Sequence, residues 1–108
     1  MNTKGELPVW AWDYACAVVR GYDARLRYMS RCSGSEGNKV FRLYSRLNGC
    51  VDKAFDEVCE EGERQWIWLS IVDGMSWERA TGCPCGRRRY YELRGAVVDK
   101  LAQLLNIY

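Results

Sequence analysis

Residues 73–96, DGMSWERATGCPCGRRRYYELRGA, hold the pattern that decides the fold. Asp73-Gly74 is a turn dipeptide in which glycine supplies the positive φ that ends a preceding helix. Ser76 stands as the N-cap of a short helix over 77–81, with room for little more than one turn before Gly82 and Pro84 interrupt the backbone. A long helix is then expected to begin between Cys85 and Arg87, lead with Arg87, Arg88 and Arg89, and continue to about Asn106. Short helix, tight turn and arginine-led helix is the order in which a helix-turn-helix unit offers a recognition helix to the DNA major groove.

On a helical wheel Tyr90, Leu93, Val97, Leu101 and Leu104 fall on one stripe, the pattern of a helix packed against a core. Arg88, Tyr91 and Gly95 project opposite it, with Arg87 and Arg94 on one flank and Arg89 and Lys100 on the other. An arginine at the centre of the exposed face can donate two bonds to guanine O6 and N7, whereas flanking arginines reach phosphates. Gly95, lacking a side chain, would allow close approach to a duplex. The positive end of the helix dipole at Gly86 to Arg89 adds to the attraction for phosphate. The expected DNA contacts are therefore Arg87, Arg88, Arg89, Tyr91, Arg94 and Ser76.

Working outward from that unit, Trp66, Leu69 and Val72, flanked by Ile67 and Ile71, predict a helix at the centre of a bundle. Val40, Leu43, Leu47, Val51, Ala54, Phe55 and Val58 predict a longer one that ends at Glu61-Gly62, with Gly49 as a point of kinking. Val18, Tyr22, Leu26 and Met29 predict another, started by Pro8 and broken at residues 33–37. No strand signal is comparable. The expected fold is all-α: a helical bundle whose C-terminal helix-turn-helix follows two long helices. Residues 1–62 form a helical hairpin for packing or oligomerisation and 63–108 the DNA-binding unit, within one compact domain.

The 108 residues, 48% hydrophobic, suit one such domain and not two. Nothing approaches the apolar length of a membrane span, and the first ten residues lack the basic and apolar regions of a signal peptide, so a cytoplasmic protein is expected. The net charge of +2 is unevenly spread. Residues 1–51 carry eight basic and four acidic side chains, 52–63 one and six, and 64–108 seven and four. The acidic block predicts that DNA approaches from the other side.

Six cysteines suggest zinc or disulfides, but the one close pair is Cys83-Pro84-Cys85, too tight for a C-x2-C ligand pair, and the chain contains no histidine. Reduced thiols are expected, with Cys16, Cys50 and Cys59 as small core residues and Cys83 and Cys85 open to redox chemistry. No metal or cofactor is expected. Without histidine, paired ligand thiols or a glycine-rich phosphate loop, the usual catalytic constellations are missing, and no enzyme is expected.

From about Gln65 to Leu105, and above all in GMSWERATG followed by PCGRRRYYELRGAVVDKLAQLL, the chain resembles the sigma-factor-region-4-like regulators of Gram-positive phages and integrated elements. These include late-gene activators of the ArpU and RinA type and small uncharacterised relatives. The shared pattern runs from Gly74, Ser76, Trp77, Glu78 and Ala80 to Tyr90, Leu93, Arg94 and Ala96. Arg79 departs from the aliphatic residue usual before that alanine, and the link at 81–84 is shorter. The resemblance implies transcriptional regulation without catalysis, and contact with RNA polymerase as a further possibility.

The expected function is sequence-specific binding to double-stranded DNA, with a homodimer reading a pseudo-palindromic site. Two other readings stay open: a small terminase-like packaging protein, which would form rings, and a helical protein-interaction module whose arginines grip an acidic partner.

Overall fold

A computed structural model describes residues 7–32 and 38–108. Residues 1–6, part of the stretch read for a leader, and 33–37, read as a helix break, lie outside the described residues. The chain is all-helical there: α1 (Val9–Arg20), α2 (Tyr22–Ser30), α3 (Lys39–Val58), α4 (Arg64–Asp73), a single 3-10 turn η1 (Trp77–Arg79) and α5 (Arg87–Leu104). No strand occurs among the described residues.

The helix expected to run unbroken from Pro8 is two helices. Pro8 starts it, its carbonyl accepting from the N–H groups of Ala11 and Trp12 at 3.0 Å. Gly21 then both closes α1 and opens α2. The Arg25 guanidinium folds back over this joint, donating through Nε to Asn48 Oδ1 at 2.7 Å and through Nη2 to the Val18 carbonyl. A Cβ on Gly21 would lie 2.6 Å from Arg25 Nη1, so the missing side chain makes room for the buried arginine. Because the axis breaks there, the apolar stripe does not carry through, and Leu26 is 49% exposed.

Asn38 starts α3, accepting from the N–H groups of Val40 and Phe41 at 2.7 and 3.3 Å. The helix runs without a break through Gly49. Its C-terminal half buries Val51, Ala54 and Phe55, whereas Val40 and Leu43 remain exposed. The short α4 follows and ends at Gly74, whose φ of 67° is in the left-handed region. Met75 N–H returns to the Leu69 carbonyl at 3.3 Å, which turns the chain toward η1.

The core is one cluster drawn from both halves of the sequence. Val19 of α1, Val51 and Phe55 of α3 and Ile67 of α4 meet Tyr90, Val97 and Leu101 of α5. Burial of such side chains is worth about 1.5–3 kcal/mol each. The stripe expected on the last helix is its buried side: Tyr90, Leu93, Val97 and Leu101 are buried and Leu104 half-buried, joined by Val98 and Ala102. Its back being fixed, only the front and the N-terminal end of α5 can meet a partner. No helix among the described residues is long and apolar enough to cross a membrane.

Candidate nucleic-acid interface

The expected positioning helix is one 3-10 turn, tied to α5 and the linker before it by three contacts. Trp77 Nε1 donates to the Cys85 carbonyl at 3.0 Å, Trp77 N–H donates to the Tyr91 hydroxyl at 3.1 Å, and Glu78 accepts from Arg87 Nε at 3.1 Å. Gly82 lets the linker pass against α4, since a Cβ there would stand 2.8 Å from Trp66 Cζ2. Ser76 occupies the N-cap position of η1 in extended backbone, but its side chain makes no capping bond. The fixed turn sets where α5 begins.

The first turn of α5 has three arginines in three different situations. Arg88 is the most open, its side chain 92% exposed, with Nε 3.3 Å from Glu92 one turn on. Arg87, 64% exposed, meets Glu78 and lies over the Tyr91 ring at 5.3 Å. Ion pairs of this exposed kind contribute little, so a phosphate can replace either carboxylate at small cost. Arg89 differs. Its Nε and Nη2 donate to the two oxygens of Glu63 at 2.7 and 3.2 Å, and the Glu63 side chain is only 7% exposed.

Glu63 also accepts the Glu60 N–H at 3.0 Å. The Arg89 guanidinium beside it, supported by that N–H, holds its carboxyl below the usual carboxylate range despite burial. At Glu78 its own backbone N–H and the Arg87 guanidinium act in the same direction. The acidic block is thus not confined to a face away from the arginines. Glu63 clamps the start of α5 and Glu57 accepts from Lys100 at 2.9 Å, while Asp52 and Asp56 pair with Arg64.

Two of the predicted contact residues face inward. Tyr91 is half-buried, its ring set edge-on to Tyr90 with centroids 5.1 Å apart and its hydroxyl occupied by Trp77. Arg94 is half-buried between the Tyr91 and Trp12 rings, 5.0 and 5.9 Å from their centroids. Gly95 is likewise half-buried. The wheel put Tyr91 and Gly95 opposite the core, but η1 and α1 flank α5 and cover part of that side. What stays open is the first turn, where Arg87 and Arg88 stand beside an N-cap, Gly86, that offers no side-chain bond to the leading N–H groups.

The cysteines are all free thiols. Cys16 is buried in α1, but Cys59 caps α3 instead of lying within it. Cys83 and Cys85 Sγ atoms are 3.2 Å apart in the linker that delivers α5. No cluster of three or more metal-ligating side chains occurs among the described residues. Comparison with family models, curated proteins and solved structures gives no match to this chain.

Proposed function

We propose that this protein binds double-stranded DNA through the first turn of α5, with Arg88 entering the major groove and Arg87 on a flanking phosphate. The observation that carries this reading is the 92% exposure of Arg88 at the N-terminus of a helix whose back is buried in the core. A helix held by its buried back, with a guanidinium at its leading end tied only to the exposed Glu92 carboxylate, suits bidentate recognition of guanine. The unbonded first-turn N–H groups and the helix dipole add affinity for phosphate.

Arg89 belongs to the supporting structure in this account, because binding phosphate would require it to leave a buried carboxylate. Tyr91 and Arg94 act indirectly, by holding Arg87 and the turn in place. Ser76 remains on the η1 side of the interface as a phosphate contact. With the resemblance to sigma-region-4-like regulators, the role is transcriptional control in a phage or mobile element, in the cytoplasm. RNA polymerase is the second partner that resemblance implies. A homodimer joined through exposed apolar side chains such as Val9, Trp10 and Tyr14 would pair two such helices.

Titration of duplex DNA of mixed sequence across a salt series tests the proposal. Affinity that falls linearly on a log-log plot against salt is expected, followed by enrichment of one site in a selection experiment. Absence of binding even at low salt would turn attention to an acidic protein partner.

A further inference from the structure

A second polar feature lies away from the arginine turn, where α1, α4 and α5 meet. Trp12, Cys16, Arg20, Ser70, Ile71, Gly74 and Arg94 line a partly open cavity of about 170 Å³. It is smaller than the usual pocket for a drug-sized ligand, so its occupant is compact.

The polar groups around this cavity are not satisfied by one another. Arg94 Nε is buried and has no hydrogen-bond partner. Ser70 Oγ is buried too and makes no bond of good geometry, although it lies near Tyr90, whose hydroxyl donates to the Met75 carbonyl at 2.7 Å. Arg20 forms no ion pair among the described residues. Buried polar atoms in native proteins are nearly always paired, so Arg94 Nε and Ser70 Oγ, facing the cavity from two helices beside the exposed Arg20, point to a missing acceptor.

We propose that this cavity binds a small organic oxyanion, a carboxylate or phosphate on a compact apolar body, between Arg20 and Arg94. Two guanidiniums supply the charge and Ser70 a further donor, while Trp12 and Ile71 receive the apolar part. Burial keeps the Cys16 thiol protonated against the pull of Arg20 and Arg94, so it adds no repelling charge. Asp13 acts on Cys16 from the same helix and is the acidic group nearest in effect. The bound anion would bridge three helices. This site does not depend on the DNA reading.

The test is an NMR titration of the full-length, 15N-labelled chain with benzoate, phenyl phosphate and inorganic phosphate, with chloride at matched ionic strength. Saturable shifts are expected at the Gly74 amide and the Arg94 side-chain Nε–H, with affinity weakened about tenfold or more in Arg20→Gln and in Arg94→Lys. Saturation by benzoate, or by phenyl phosphate more tightly than by inorganic phosphate, supports the proposal and identifies the head group, whereas inorganic phosphate binding as tightly as phenyl phosphate would contradict it. Arg20→Gln changes an exposed side chain and is expected to leave the unfolding midpoint close to that of wild type. No saturable shift with any probe, or saturation unaltered in both variants, would overturn it.

Discussion

Arg89 and Glu63, separated by 26 residues, form a two-bond ion pair that fastens the first turn of α5 to the chain entering α4. Of the three consecutive arginines, the last is thereby committed to holding the other two in place. Substitutions at these positions should separate into effects on stability and effects on binding.

Glu63→Gln should destabilise the protein by about 1–2 kcal/mol near neutral pH, the scale of a charged hydrogen bond reduced because Arg89 is half in water. Glu63 titrates below its ordinary value in the folded protein. Its contribution is therefore complete above the unfolded carboxylate value, about 4.3, and is lost as pH falls through the folded value. Urea unfolding at a series of pH values should show the gap between wild type and variant closing below that point. A gap independent of pH would contradict the ion pair's role.

Gly82→Ala should cost about 1–3 kcal/mol, because the new methyl meets the Trp66 ring at 2.8 Å and both the linker and α4 must shift. The urea midpoint measures it, and intrinsic tryptophan fluorescence should report the displaced ring. A change below about 0.5 kcal/mol would mean that the linker yields freely.

Burial pushes the Cys59 thiol up to about 11, with Glu63 adding to the effect, and burial together with the Cys83 contact does the same for Cys85. Both should resist iodoacetamide at pH 7.5 and react readily once the protein is unfolded in urea. Peptide mapping by mass spectrometry distinguishes the six sites. Labelling of Cys85 in the native protein as fast as in urea would show that the linker opens easily.

The long helices were legible because their signals are local. The stripe from Tyr90 to Leu101 is buried as its spacing required. The break at Gly21 was not legible, since it depends on Arg25 reaching Asn48 on another helix. Nor could a wheel of α5 alone locate Tyr91 and Arg94, whose burial comes from Trp77 and Trp12. At the candidate interface the wheel set Arg88 apart from its flanks but treated Arg87 and Arg89 alike, as phosphate contacts. Only the position of Glu63 distinguishes Arg89 from its neighbours.

The same distinction decides how DNA binding should be probed. Replacing all three arginines would confuse loss of contact with loosening of α5. Arg87→Ala combined with Arg88→Ala removes two exposed side chains and should leave the unfolding midpoint close to that of wild type.

The most direct measurement is fluorescence anisotropy of labelled duplex DNA with wild type and the Arg87→Ala/Arg88→Ala double variant, at two salt concentrations and with folding checked by circular dichroism. The account predicts salt-sensitive binding by wild type and loss of most affinity in a double variant that remains folded. Equal binding by both proteins would contradict the assignment of the first turn of α5 as the DNA-reading element.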